Sequence, residues 1–254
     1  MKPGAVRRVA AIAVLVLWIG GLLALWRRHD SKPDAERLAQ AALRLEPATY
    51  FYTVSQNGVP VGVASSALDT TRSGLRATDV IRARLVMYGD SQSVRGVSTA
   101  YLSRGFSLDS FALGVGGDAG PLRLRGTPHG RDGVLLPHLA PVALMLTREP
   151  RVGSSEDFWI YNPLSRQVER VTLGITAESL FTVVDSASFD SRARAWVPAH
   201  SDTVRAWSVT TPSRALAAWV DAQGRVVRAT EPGGLALDRT AYEIAALNLK
   251  ARLP

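Results

Sequence analysis

The feature that most constrains the fold of this chain is an alternation of apolar and polar residues, which begins at Thr49 and continues almost to the end. In "LRATDVIRARLVMYG", residues 75–89, Ile81 falls on one face of a strand while Arg82 and Arg84 fall on the other. Roughly ten to twelve such runs follow one another, separated by Gly, Asp and Pro, as in antiparallel strands joined by tight turns. The sequence therefore predicts a mainly β (α+β) fold, built as a curved antiparallel sheet or a partly closed barrel.

Two local signals refine this prediction. Asn57-Gly58 supplies the positive φ angles of a type I′ turn and indicates a hairpin at the start of the sheet. The stretch "PHLAPVALMLTREP", residues 137–150, interrupts the strand pattern and indicates a short helical insert that covers the mouth or the apolar face of the sheet. Helical spacing places four apolar residues on one stripe of this insert: Leu139, Val142, Ala143 and Leu146.

The last part of the chain predicts a hairpin and then a helix. The segment Asp221-Ala222-Gln223-Gly224 favours a tight turn in which Gly224 takes the left-handed conformation. Gly233-Gly234 then lets the backbone change direction. The following segment "ALDRTAYEIAALNLKARL" has apolar residues at helical spacing, with Asp238 as its N-cap. We expect this C-terminal helix to pack on the sheet and close the fold.

The N-terminus predicts a membrane span. Residues 9–26 are 18 uncharged residues, which as a helix cover about 27 Å at ~1.5 Å per residue, close to the thickness of a bilayer core. A cleaved signal peptide is the alternative, since basic residues precede the apolar stretch. The predicted organisation is a cytoplasmic segment (1–8), a signal-anchor transmembrane helix (9–26), a juxtamembrane helix or linker (27–47) and a β-rich extracytoplasmic domain (48–254).

The net charge of +8 is concentrated near this span. Residues 1–32 hold six Lys or Arg and one acid, which leaves 24 basic and 21 acidic residues for the rest. The high charge therefore does not indicate a nucleic-acid partner. Together with the positive-inside rule, it favours a protein with one span, an N-terminus inside the cell and a C-terminal domain on the other side of the membrane.

Three stretches carry a resemblance to a known domain. Residues 219–245 contain a Trp-Val-Asp-x-x-Gly hairpin, a Gly-Gly link and a Glu-Ile-Ala segment, and they are joined by "NGVPVG" (57–62) and "DFWIYNPLSRQVERVTL" (157–173). Together they resemble the β-rich extracytoplasmic domain that precedes transglutaminase-like cores in bacterial membrane-anchored proteins. The likeness implies an accessory binding domain only, because the core uses a Cys-His-Asp triad and this chain has no cysteine. The expected sheet is also remotely similar to periplasmic lipoprotein-carrier folds.

The sequence contains no motif that specifies a reaction, a metal or a cofactor. Its histidines lack metal-ligand spacing, and no nucleophile or phosphate-binding motif occurs. A hydrolase would have to pair His138 or His200 with Ser154 and Asp157. The "GSSED" stretch reads as a polar loop, and the alternative is a cation site at Glu156 and Asp157. We therefore expect a protein that binds rather than catalyses.

Two sets of side chains are candidates for binding. The two arginines of each Arg-x-Arg pair lie on the same face of a strand, because side chains alternate with period two. If these strands belong to one sheet, the pairs form one basic surface that could bind anionic head groups or an acidic partner. Its candidate members are Arg82, Arg84, Arg123, Arg125, Arg192 and Arg194. The second set consists of aromatic residues on strands, and we expect most of them, with Phe158, to lie in the core. The alternative is that some of them line a pocket for a lipid-like ligand: Trp159, Tyr161, Trp196, Trp207 and Trp219.

These sets correspond to three functional hypotheses. The first is an interaction module for a partner protein or an envelope polymer. The second is a carrier or sensor that holds a lipid-like ligand in the concavity of its sheet. The third is a hydrolase with an unrecognised site. The sequence does not predict the oligomeric state.

Overall fold

The structure is a computed structural model that describes most of the chain after the predicted linker. The predicted span and most of the predicted linker, residues 1–39, lie outside the described residues. Among those that are described, no helix is both long and apolar enough to cross a membrane. The described residues are 40, 46–87, 89–118, 120–128, 133–147, 149–211, 217–231 and 234–248.

Thirteen strands of the described residues form one large, curved, unclosed sheet, which confirms the predicted β-rich fold. The chain begins at the centre of the sheet, runs outward strand by strand to one edge, crosses to the other edge and returns to the centre. We call the two halves of the sheet the first wing and the second wing. The first wing contains β1 (Ala48–Gln56), β2 (Val59–Thr70), β3 (Gly74–Met87), β4 (Asp90–Ser103), β5 (Leu108–Gly117) and β6 (Leu122–Gly126).

The second wing runs from the opposite edge back to the centre, where β13 pairs with β1. All pairings are antiparallel except that of the two-residue edge strand β7 with β8, which is parallel. The strands of the second wing are β7 (Val134–Leu135), β8 (Ser155–Asn162), β9 (Gln167–Asp190), β10 (Ala195–Thr210), β11 (Ala217–Val220), β12 (Val226–Glu231) and β13 (Leu235–Thr240).

The core lies on one face of the curved sheet, which we call the inner face; the opposite face is the outer face. Cross-strand partners share a face. Leu68, Ala77, Ala100 and Phe111 are partners in succession from β2 to β5 and all are buried. They belong to the same apolar cluster as buried residues of the second wing, including Leu173 and others on β8 to β11. The two wings therefore share one large core, and a smaller apolar cluster of the second wing contains Val183, Ala206 and Val227.

The predicted helical insert fills this core. A 3₁₀ turn (Pro137–Leu139) leads into helix α1 (Ala140–Thr147). The predicted stripe is incomplete, because Val142 and Leu146 are only half-buried. The buried residues of α1 lie on most of its circumference: Ala140, Pro141, Ala143, Leu144, Met145 and Thr147.

Ring packing brings the outer parts of the two wings together. The ring centroids of Phe111 on β5 and Tyr161 on β8 are 5.3 Å apart. The edge strands β6 and β7 do not pair in the described sheet. The sheet thus curls toward a barrel without closing.

Two hairpin turns have the backbone conformations that the sequence predicts. Asn57 and Gly58 have φ values of 51° and 79°, as the type I′ turn requires. Gly224 has φ of 74°, and a Cβ built on it would lie 2.4 Å from Cα of Val142 on α1. The close approach of the turn to the insert therefore requires glycine at this position.

The predicted C-terminal helix is wrong over its first half. Asp238, the expected N-cap, lies within β13 and pairs with Arg228 on β12. Backbone pairing with β1 on one side and β12 on the other overrides the helical spacing of this segment. In the described residues that follow, which end at Asn248, the helical element is a five-residue π-helix (Glu243–Leu247). It packs on the outer face, where Tyr242 meets Phe51 at 5.0 Å between ring centroids.

A buried polar cluster joins β1, β13 and the β11–β12 turn, and we call it the seam cluster. Arg239 donates to Asp221 at 2.8 Å, and each side chain is only 8% exposed. The other carboxylate oxygen of Asp221 accepts the backbone N–H of Arg225 at 2.9 Å. Both guanidinium groups lie over the Tyr50 ring, 4.9 and 5.2 Å from its centroid. Burial raises the pKa of neighbouring Tyr52.

Candidate functional site

An amphipathic groove lies on the outer face of β1 to β4, beside the π-helix. Its volume is about 640 Å³, within the range of roughly 300–1,000 Å³ that is usual for small-molecule sites. Apolar side chains of the strands and of the π-helix segment line one part, and three arginines line another: Phe51, Val61, Val63, Val80, Tyr242 and Ala246, with Arg82, Arg84 and Arg95.

Strand register brings the three arginines together. Arg82 on β3 lies directly opposite Arg95 on β4, and Arg84 lies opposite Ser93. Period two places Arg84 on the same face as Arg82. Val63 on β2 is the other cross-strand neighbour of Arg82, so the apolar and basic parts of the groove adjoin within one face.

These arginines have no counter-charge in the part of the chain that the structure describes. All three are exposed, and none of their side chains forms an ion pair or a hydrogen bond with another described residue. Like charges directly opposite each other on neighbouring strands destabilise a sheet. The Arg82–Arg95 pair therefore has a structural cost that an anionic ligand would offset.

The basic surface continues across two further strands. Arg95 lies opposite Gly116 on β5, and Gly114 lies opposite Arg123 on β6. A Cβ built on either glycine would meet nothing within 4 Å. An open strip without side chains thus separates Arg95 from Arg123. It spans two strand spacings, about 10 Å.

The structure brings most of the predicted basic set onto this face. Arg125 lies two residues beyond Arg123 and opposite Ala112, on the same outer face as the groove arginines. We call the resulting surface the basic face; its members are Arg82, Arg84, Arg95, Arg123 and Arg125.

Two members of the predicted basic set lie elsewhere. Arg192 and Arg194 are exposed residues of the turn between β9 and β10, not of a strand. Arg194 has φ of 52°, and the backbone N–H of Arg192 donates to the Asp190 side chain in a local turn. Sequence analysis missed Arg95, because it has no Arg-x-Arg partner; only the β3–β4 register reveals it.

The predicted aromatic set does not line one pocket. Trp207 is buried on the inner face opposite Val220, whereas Trp219 lies opposite Ser208 on the outer face. Trp219 packs on Phe181 at 5.1 Å between ring centroids. The remaining members lie apart from these two: Tyr161 beside Phe111, Trp196 beside Phe189, and half-buried Trp159 on β8.

A second polar constellation lies on the exposed β9–β10 hairpin. Asp185, His200 and Asp202 each place one potential ligand atom within 4.8 Å of the other two. His200 Nδ1 lies 2.8 Å from Asp185. The hydrogen bond raises the pKa of His200 and lowers that of Asp185. A His-x-Asp sequence on one strand was the only local signal for this group, since Asp185 joins through cross-strand pairing.

The residues considered for a hydrolase have other partners. Asp157 accepts hydrogen bonds from Arg170 and Thr172, which lower its pKa. The Ser154 hydroxyl donates to the backbone oxygen of Arg151. His138 lies 3.2 Å from Asp79. The considered residues therefore do not form a hydrogen-bonded triad.

The alternative cation site at Glu156 and Asp157 is not assembled either. The two are consecutive residues of β8, so their side chains point to opposite faces of the sheet. The Thr147 hydroxyl on α1 lies 3.4 Å from the Glu156 carboxylate.

Comparison with known proteins gives two structural similarities. A protein of the DUF1089 family from Pseudomonas aeruginosa superposes with a TM-score of 0.38 and 12% identity, covering 67% of this chain and 90% of that chain. A β-barrel-like protein of the domain of unknown function DUF1849, from Brucella abortus, superposes with a TM-score of 0.49 and 10% identity, covering 76% and 94%. No protein-family profile matches this chain, and no curated protein matches it.

Neither structural similarity is close enough to transfer a ligand or an activity. Both proteins bear the names of domains of unknown function, and neither name refers to transglutaminases. The resemblance to the domain that precedes transglutaminase-like cores therefore stays a prediction.

Proposed function

We propose that this chain is a non-catalytic binding protein of the bacterial cell envelope, tethered to the inner membrane with its β-rich domain in the periplasm. The tether and the location rest on the apolar N-terminal segment and its flanking charges. The binding role rests on the groove. Its ligand is an anionic amphiphile, a lipid-like molecule with a hydrocarbon part and a phosphate or carboxylate group.

One observation carries this proposal: an apolar surface and three arginines without counter-charge adjoin in one groove. Phosphate and carboxylate groups match the planar guanidinium of arginine and form charge-assisted hydrogen bonds with it. Each buried methylene adds about 0.8 kcal/mol. An anionic ligand with a hydrocarbon chain should therefore bind the groove more tightly than inorganic phosphate, because the chain adds its own contribution to the affinity.

The proposed site differs in position from the one expected from the sequence. The sequence predicts a lipid-like ligand among aromatic residues in the concavity of the sheet. There, α1 and the side chains of both wings occupy the space. The groove lies instead on the outer face, where Phe51 and Tyr242 are the neighbouring aromatic residues.

The test is titration calorimetry of the full chain, held in an amphipathic polymer, with octyl phosphate, inorganic phosphate and octanol. We expect octyl phosphate to bind at least about tenfold more tightly than either of the others, because only it has both parts. The double substitution Arg82→Gln/Arg84→Gln should weaken octyl phosphate binding by about tenfold or more, since hydrogen bonds to charged groups contribute about 1.5–3 kcal/mol each.

The matched control is Arg123→Gln/Arg125→Gln, which removes the same charge from β6 outside the groove. Equal weakening by both double substitutions would contradict a groove-specific site. Equal affinity for octyl phosphate and inorganic phosphate would favour an interaction module that reads charge alone, such as one for an anionic envelope polymer or an acidic partner protein.

A further inference from the structure

The basic face extends well beyond the groove, and the groove ligand does not account for all of it. Arg123 and Arg125 lie on β6, across the open glycine strip from Arg95, and neither lines the groove. Both are exposed and make no ion pair within the described residues. A role for these two arginines requires a larger anionic partner.

Arginines elsewhere in the domain are of two kinds. Arg166, Arg192 and Arg194 are exposed turn residues that also form no ion pair with a described residue, but they do not share one face of the sheet. Several arginines outside the basic face pair with a carboxylate, as in Arg76–Asp69, Arg170–Asp157 and Arg205–Glu178. The part of the outer face between Arg82 and Arg125 presents Ser, Thr, Val, Ala and Gly between its arginines. None of its arginines forms an ion pair with a described residue, and the carboxylate at its edge, that of Asp118, accepts the backbone N–H of Ser93.

Exposed apolar side chains lie on the same face. Val86 continues the Arg82–Arg84 row of β3 and is 55% exposed. Tyr101 on β4, opposite Arg76, is 46% exposed. Arginines with a few exposed aromatic and aliphatic residues are the composition of a surface that rests on lipid head groups.

We propose that the basic face is a docking surface for an anionic lipid bilayer, so that the domain lies on the membrane through the outer face of β3 to β6. Charge complementarity selects this partner: a bilayer is a flat anionic surface, and the arginines lie on one face of one sheet. Arginines close to such a surface attract it strongly, and the attraction falls off within the Debye length.

This inference rests on the membrane tether of the proposed function, and the chain length allows it. The predicted span ends at residue 26 and β1 begins at Ala48. Even as a helix of ~1.5 Å per residue, the intervening segment reaches about 30 Å, the length scale of a small domain. The domain can therefore turn its outer face to the bilayer. Docking would also place the groove where a lipid-like ligand can enter it.

The absence of cysteine from the chain allows a direct test. Ala112→Cys places a single thiol on the basic face opposite Arg125, and Ser179→Cys places one on exposed β9 of the second wing. Each full-length variant carries a polarity-sensitive fluorophore and is reconstituted into vesicles of phosphatidylcholine, with or without phosphatidylglycerol.

We expect a blue shift from the label at position 112 only in vesicles with phosphatidylglycerol, reversed by salt, and none from position 179. Arg123→Gln/Arg125→Gln should reduce the docking constant roughly 25-fold. Each arginine near such a surface contributes about 1 kcal/mol, and a difference of about 1.4 kcal/mol changes a binding constant tenfold. The matched control Arg192→Gln/Arg194→Gln removes equal charge from the β9–β10 turn and should change it less than about twofold.

A blue shift of equal size in neutral vesicles, or none in either, would overturn the docking surface. Equal weakening by the two double substitutions would overturn it as well, since net charge and not the face would then matter. None of these outcomes would contradict the proposed groove ligand. Octyl phosphate binding tests Arg82 and Arg84, whereas membrane docking tests Arg123 and Arg125.

Discussion

The seam cluster and the basic face use the same side chain in opposite ways. In the seam cluster, Arg239 is almost fully buried and donates to the Asp221 carboxylate, while its guanidinium also stacks on Tyr50. On the basic face, Arg82 and Arg95 are exposed, lie opposite each other and have no carboxylate partner among the described residues. Arginine holds the sheet together at its centre and stays available on its outer face.

The difference follows from burial. A buried charge without its partner is strongly destabilising, so the buried Arg239 guanidinium needs an anion within the protein. An exposed guanidinium is hydrated and tolerates the lack of one. A cluster of five exposed arginines, none of them in an ion pair with a described residue, therefore points to an anion from outside.

The largest expected effect is a loss of stability when the buried Arg239–Asp221 pair of the seam cluster is removed. Asp221→Ala removes the carboxylate that Arg239 donates to and the acceptor of the Arg225 backbone N–H. Loss of one partner from a buried pair costs about 3–5 kcal/mol, and we expect the free energy of unfolding in urea to fall by about this amount. The matched control is Asp69→Ala, which removes a carboxylate from an exposed arginine pair and should barely move the urea midpoint. Equal losses in both variants would show that the seam pair is not special.

A smaller effect of opposite sign is expected on the basic face. Arg95→Glu converts the like-charge pair with Arg82 into an attractive one, and opposite charges directly across two strands contribute roughly 0.2–1 kcal/mol. The variant should be slightly more stable in urea and should bind octyl phosphate at least about tenfold more weakly. Arg95→Gln separates the two effects, because it removes the repulsion without adding attraction. A destabilised Arg95→Glu variant would contradict an uncompensated pair at this position.

The smallest effect concerns an exposed pair that titrates. The pKa of His200 is raised above its ordinary 6.5 by Asp185, so the stabilisation it provides is complete below about pH 6.5 and is lost as the pH rises through the raised value. The pKa of Asp185 is lowered from 3.8, so its share is present above about pH 3.8 and is lost on further acidification. We expect His200→Gln to lower the urea midpoint slightly near pH 5.5 and to leave it unchanged near pH 9. A difference that persists at the higher pH would rule out the ion pair as its cause.

The sequence predicts the local parts of the fold well. Period-two alternation identifies strands such as β3, because one face of each is buried and the other is solvated. Asn57-Gly58 specifies its turn through backbone conformation alone. Non-local pairing is not predictable in this way: residues 236–240 have helical spacing, yet they form β13 because β1 and β12 offer hydrogen-bonding edges on both sides. The parallel strand β7 is too short for any period to appear.

The same limit applies to the candidate site. Strand period places Arg82 with Arg84 and Arg123 with Arg125, and the sequence predicts both pairs. Their union into one surface depends on two intervening strands, and it needs the glycines of β5 to leave the space between them open. Arg95 completes the surface through register. No single-sequence pattern specifies that register, because it depends on which strands pair.

The pairing of the first strand with the last has a consequence for how the chain folds. Apart from the parallel β7–β8 pair, each wing is a succession of hairpins that form locally. The contact of Phe51 with Thr240, in contrast, must close a loop of nearly the whole domain. Such closure is entropically unfavourable and slow. Until it occurs, β1 and β13 present unpaired edges, which invite association with other chains. Folding intermediates should therefore be most prone to aggregate just before the two wings join, and a chain truncated before Leu235 would keep the open edge of β1 permanently.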